Sequence, residues 1–298
     1  MPNTTNWTLG LDLRDGAEGP LIFARWLQAQ LEGAELDALH VIEKEQLSFL
    51  ASADKQAQAK ALAEDALGRT LERCGESSPL AGARFVEGSP VDALAKASAG
   101  KTGLILGRLA PRGKDQILRL GSVARRLLRQ LPAPSVVVPP DLSREQIGKG
   151  PIVLACDAQP DSLGAARYAL QLSQQLGREL VLAHVVPMPY GWSVGYLPAE
   201  SLHQIRADLR ANGGRTLERW ATEHGLSGRR GLVREGLVAE ELARIAKDED
   251  ALTIVVGSRK LNAVERLFVA SVGSELAASA TVPVFVVPPD FGHSETPA

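Results

Sequence analysis

Cysteine is scarce in this chain of 298 residues, with only Cys74 and Cys156, at positions unrelated to any repeat. Neither a paired-bridge framework nor a Cys-based zinc motif fits, and the expectation is a reduced, cytoplasmic protein. Aromatic residues make up 4% of the sequence, and Trp7, Trp26, Trp192 and Trp220 share no repeated spacing and no basic interleaving. That argues against a base-stacking platform. An excess of one charge is also lacking: 33 Lys and Arg against 35 Asp and Glu leave a formal net charge of −2, so no basic field recruits nucleic acid. No uninterrupted apolar run approaches the ~18 residues of a membrane span. The opening Met1-Pro2-Asn3-Thr4-Thr5-Asn6-Trp7 has neither a basic n-region nor an apolar h-region, so neither a membrane nor a targeting role is expected. Catalytic signatures are missing too. There is no Gly-x-Ser-x-Gly elbow, no complete Gly-x4-Gly-Lys-Ser/Thr loop, no His-Glu-x-x-His helix and no repeated carboxylate pair at a loop.

What is present is a duplication. Pro134-Ser135-Val136-Val137-Val138-Pro139-Pro140-Asp141 returns as Pro283-Val284-Phe285-Val286-Val287-Pro288-Pro289-Asp290, half the chain further on. Each copy must then be a complete small domain, because the period is far longer than the ~20–50 residues of solenoids and propellers. The expected division is a first domain over 1–142, a polar two-glycine linker over 143–150, a second domain over 151–291 and a tail over 292–298.

The second copy reads clearly. Ile152–Cys156 is a short apolar run ending at Asp157, followed by helical spacing from Asp161 to Gly177 and a second apolar run over Leu180–Val186. A long helical region over 198–224 follows, which Asn212-Gly213-Gly214 is expected to kink or split. Gly231–Arg234, a helix over 238–248, Leu252–Val256, a further helix before Thr281, and Val284–Val287 complete it. In the first copy the strands fall at Trp7–Asp12, Asp37–Ile42, Arg84–Val86, Leu104–Leu106 and Ser135–Val138. Strands without polar alternation are buried on both faces, which predicts an α/β fold: two tandem, doubly wound, five-stranded parallel-sheet domains. The matched strand ends at Val138 and Val287 are edges in need of cover, and pairing between copies as a pseudo-dimer is the expected arrangement.

In such sheets ligands sit beyond the carboxyl ends of the strands, at the reversal of winding. There the first copy carries Asp12 after strand 1 and Gly107 with Gly121-Ser122 after strand 4; the second carries Asp157, Gly257 and Ser271. Glycine admits close backbone approach, serine donates a hydroxyl, and a helix start offers free N–H groups, so the loop is built like an anion cradle. A plainer reading has Asp12 and Asp157 cap the turns that follow them. His40 and His184 are expected to be structural, and Arg125, Arg126 and Arg129 to form a solvated helix face.

With these landmarks the chain resembles the universal stress protein family, in its tandem two-domain form. The resemblance rests on Asp12 and Asp157, His40-Val41 and His184-Val185, Glu87-Gly88 and Glu235-Gly236, the Gly-rich loops and the Pro-x-x-Val-Val ends. It implies a Rossmann-like fold of the adenine nucleotide alpha hydrolase type and a stress-response binding or signalling module. ATP or AMP would be the ligand, contacted by Asp12, Val41, Gly107, Gly121 and Ser122 in one site and by Asp157, Val185, Gly257 and Ser271 in the other. No protein-held metal is implied, and the partners would be an adenine nucleotide, an unidentified signalling protein and a second copy of the chain as homodimer. Both loops depart from the family's Gly-x2-Gly-x9-Gly-Ser/Thr spacing. The first has Ala110 at the second glycine and one extra residue; the second has Lys260 and Ala270 in place of its second and third glycines. Binding is therefore expected mainly in the first domain. The rival readings are a scaffold without nucleotide and a weak ATP-hydrolysing enzyme of related fold.

Overall fold

The computed structural model describes residues 5–14, 18–47, 54–75, 80, 82–109, 120–188, 198–258 and 272–292. The chain divides into two compact units, Met1–Ile147 with Ala277–Ser279, and Gly148–Leu276 with Ala280–Ala298.

In the first unit the strands are β1 (Asn6–Gly10), β2 (Glu35–Ile42), β3 (Arg84–Glu87), β4 (Gly103–Gly107) and β5 (Ser135–Val138). They lie in the order β3-β2-β1-β4-β5, every described pair parallel. The reversal of winding between β1 and β4 is the feature that opens a crevice at the strand ends. Helices α1 (Gly19–Gln30), α2 (Lys44–Leu47), α3 (Lys55–Arg73), α4 (Pro90–Ser98) and α5 (Ser122–Gln130) connect them. Local chemistry sets their starts. The Asp54 carboxylate accepts from the Ala57 N–H at 3.0 Å, and Ser89 caps α4 ahead of Pro90, whose missing N–H costs nothing in a first turn.

The second unit repeats the design with β6 (Ile152–Ala155), β7 (Leu180–Pro187), β8 (Arg230–Gly236), β9 (Thr253–Gly257) and β10 (Val284–Val287), in the order β8-β7-β6-β9-β10. Its α-helices are α6 (Leu163–Leu176), α7 (Ala199–Glu223), α8 (Val238–Asp248) and α9 (Val272–Ser279), with a 3-10 turn at Pro160–Ser162 before α6. Strands β5, β6 and β10 are buried along their whole length, Ile152 to Ala155 and Val284 to Val287 among them. Each such Val, Leu, Ile or Phe contributes about 1.5–3 kcal/mol of burial. This explains why these strands read as unbroken apolar runs.

The expected break at Asn212-Gly213-Gly214 does not occur, since α7 runs through it as one helix of 25 residues. The reason is close packing. A β-carbon on Gly213 would stand 2.8 Å from Val186 and 3.0 Å from Val233, so this glycine lets the helix lie against β7 and β8. The repeated Pro-Pro-Asp ends have a similar explanation. A β-carbon on Gly19 would overlap the Pro139 carbonyl and stand 2.9 Å from the Pro140 oxygen. One on Gly164 would overlap the Pro288 carbonyl and stand 2.8 Å from the Pro289 oxygen. In the first unit the contact is also a hydrogen bond, Gly19 N–H donating to the Pro140 oxygen at 2.8 Å. Each copy thus seats the backbone after its last strand on a side-chain-free spot at the start of its first helix.

Candidate functional site

The carboxyl ends of β1, β2 and β4 bring Asp12, Val41 and Gly107 to one edge of the first sheet, and α5 begins at Ser122 with Gly121 as its cap. In the second unit Asp157, Val185 and Gly257 occupy the matching ends of β6, β7 and β9. Ser271 lies outside the described residues, as do Ala110, Lys260 and Ala270. Val41 and Val185 are both buried.

The two histidines tie their loops down. His40 Nδ1 lies 3.0 Å from the Leu11 carbonyl oxygen, and His184 Nδ1 lies 2.8 Å from that of Cys156. A ring N–H donated to the carbonyl just before Asp12 or Asp157 fixes where that aspartate leaves the sheet.

The aspartates both engage the turn that follows. Asp12 Oδ1 accepts from the backbone N–H of Arg14 at 3.2 Å and from Arg14 Nε at 2.7 Å. Asp12 Oδ2 accepts from Arg14 Nε at 2.9 Å and also from Arg14 Nη2. These bonds hold the guanidinium pKa above its ordinary value, partial burial opposes them, and the charges of Asp12 and Glu43 add to them. Asp157 Oδ1 accepts instead from the Gln159 N–H at 3.0 Å and the Ser162 hydroxyl at 2.6 Å. A carboxylate bonded two residues ahead of itself is the Asx-turn arrangement, so the turn-capping role is present in both copies.

The glycines that end β4 and β9 are crowded by the first helix in one copy and by the 3-10 turn before it in the other. A β-carbon on Gly107 would stand 2.9 Å from Pro20 Cγ, and one on Gly257 would stand 3.2 Å from the Asp161 carbonyl oxygen. Gly121 differs: its φ of −61° suits any residue, and a β-carbon there would meet Leu109 at 3.4 Å, ordinary contact. Gly121 is thus not demanded by its own backbone, which leaves approach of a ligand as a reason for it. Next to Gly107, Arg108 is buried, and desolvation lowers its pKa while Asp141 opposes that shift. Sequence reasoning missed Arg14, Pro20 and Ser162. The only available signal was the turn chemistry around Asp12 and Asp157, which points to a bonded turn without naming the donor.

Among the described residues no three His, Cys, Asp or Glu are grouped to hold a metal ion. No described helix is long and apolar enough to cross a membrane. Gly100-Lys101-Thr102, a fragment of a phosphate-loop sequence, lies at the amino end of β4, away from the crevice, where the Thr102 hydroxyl oxygen accepts from the Asn6 N–H at 3.0 Å.

The fold defines a tandem α/β protein with two doubly wound domains, each reversing its winding between its first and fourth strands. The sequence profile of the Universal stress protein family matches it twice, over residues 8–139 and 150–288, and the chain belongs to that family. Universal stress protein MJ0531 of Methanocaldococcus jannaschii is 29% identical over 141 residues, covering 46% of this chain and 80% of that protein. Universal stress protein YxiE of Bacillus subtilis is 26% identical over 144 residues, 46% of this chain and 97% of that one. Over the whole length the fold is shared with a universal stress protein from Archaeoglobus fulgidus DSM 4304, at 19% identity and a TM-score of 0.63, covering 96% of this chain and 99% of that one. It is shared as well with PA1789 from Pseudomonas aeruginosa PAO1, described as functionally unknown, at 17% identity and a TM-score of 0.62, covering 97% of this chain and 94% of that one.

Proposed function

We propose that this tandem universal stress protein is a stress-response binding module that takes an adenine nucleotide, ATP or AMP, mainly in its first domain. The observation that carries the reading is Gly121. It stands before Ser122 at the start of α5, and among the described residues neither φ nor crowding requires a glycine there. A phosphate fits that place, where free N–H groups and the positive end of the helix would meet it.

In the second domain the reading is that of a scaffold. Ser162 and Gln159 engage Asp157, and Ala270 replaces the glycine that matches Gly121. Asp157, Val185, Gly257 and Ser271 are then remnants of a site. The further parts of the reading are a cytoplasmic location, domains over 1–142 and 151–291 with a linker over 143–150, a signalling protein as partner, and the two copies paired as a pseudo-dimer or two chains as a homodimer. Thermal unfolding with ATP, with AMP and without ligand tests the nucleotide reading. A ligand at 100 times its Kd adds about 2.7 kcal/mol to the stability of the domain that binds it. An unchanged melting curve at millimolar ATP and AMP would leave the scaffold reading for both domains.

A further inference from the structure

We propose that Arg14 is a latch on the adenosine end of the first site, which must leave Asp12 before a nucleotide is held there; the inference rests on the nucleotide reading above. An ionised carboxylate offers roughly four acceptor positions. Arg14 covers both oxygens from one residue with three donors: its backbone N–H on Oδ1, its Nε–H shared between Oδ1 and Oδ2, and its Nη2 on Oδ2. A base amino group or a ribose hydroxyl arriving at Asp12 would meet a guanidinium already lying across both oxygens.

The clamp is displaceable. The side chains of Arg14 and Asp12 are 56% and 36% exposed, so water screens the pair and its hold is modest. Glu43, exposed just beyond the end of β2, also attracts the Arg14 guanidinium and offers it a second carboxylate once Asp12 is given up. The second copy holds its aspartate differently. Its residue in the place of Arg14 is Gln159, and Asp157 accepts from the Ser162 hydroxyl and the Gln159 backbone N–H.

The test is a calorimetric titration of ATP into the full chain, as wild type, as Arg14→Gln and as Asp12→Asn/Arg14→Gln. The latch predicts that Arg14→Gln binds ATP about two- to fivefold more tightly, the range open to an exposed ion pair. The double variant should lose that gain, because the freed carboxylate is its source. Equal or weaker binding by Arg14→Gln overturns the proposal. Weaker binding would be the result for a residue that merely supports the loop or touches phosphate itself. Absence of ATP binding in all three proteins would remove the nucleotide reading and the latch with it, an outcome distinct from wild-type binding left unchanged by Arg14→Gln.

Discussion

Two glycine-to-alanine changes on helices of the second domain should move its stability in opposite directions. Gly164 lies in the first turn of α6, where a β-carbon would overlap the Pro288 carbonyl and stand 2.8 Å from the Pro289 oxygen. Both obstacles are backbone atoms of the repeated Pro-Pro-Asp segment, so neither can rotate aside, and the helix must lift from the strand end. Overpacking of this kind costs about 1–3 kcal/mol. Gly214 sits within α7, where a β-carbon would have nothing within 4 Å, so alanine there meets no neighbour. Its gain is the helix propensity and unfolded-chain entropy that glycine forgoes, about 0.5–1 kcal/mol. For a domain of this size each kcal/mol moves the midpoint by roughly 2–4 °C. Thermal unfolding followed by circular dichroism should therefore place Gly164→Ala below the wild type and Gly214→Ala above it. A Gly164→Ala protein as stable as the wild type would refute the packing role assigned to the Pro-Pro-Asp ends.

Two further outcomes follow from the chemistry of single side chains. Burial pushes the Cys156 thiol up from 9.0 to about 12, so the folded state holds this proton while the unfolded chain releases it. Its effect on stability is absent below about pH 9 and grows unfavourably as pH rises from about 9 to 12, at about 1.4 kcal/mol per unit; the slope in that window should be shallower in Cys156→Ala, and equal slopes would contradict the assignment. Arg230, on the outer strand β8, donates to Glu179 at 3.1 Å and to Glu249 at 2.6 Å, yet its side chain is 41% exposed. Arg230→Ala should cost no more than about 1 kcal/mol in urea titrations, and less at high salt. A loss of several kcal/mol that ignores salt would mean these pairs are buried in effect.

How far the sequence could be read varies with the physical signal. Ile152–Ala155, Leu180–Pro187 and Val284–Val287 were legible because strands covered on both faces leave apolar runs, and the helix at Val238–Asp248 because its apolar stripe has the helical period. Gly213 misled, since a glycine that breaks an isolated helix is the residue a helix needs where it lies against a sheet. The recurrence of Pro-Pro-Asp was visible, but its purpose was not: the partners, Gly19 and Gly164, sit more than a hundred residues away in sequence. That Asp12 follows β1 and Gly107 ends β4 was legible from the topology of a doubly wound sheet. The partners of the two aspartates were not, because Arg14 and Ser162 reach them by rotamer choice within short loops, which leaves no periodic trace.

The most direct measurement of the central claim is the calorimetric stoichiometry of ATP binding to the full chain, set beside that of Gly121→Val. The account predicts saturable binding at about one nucleotide per chain in the wild type and its loss in Gly121→Val, with a cooperative melting curve for each protein showing that it is folded. Binding that survives Gly121→Val undiminished, or a wild type that takes up no ATP, would contradict it.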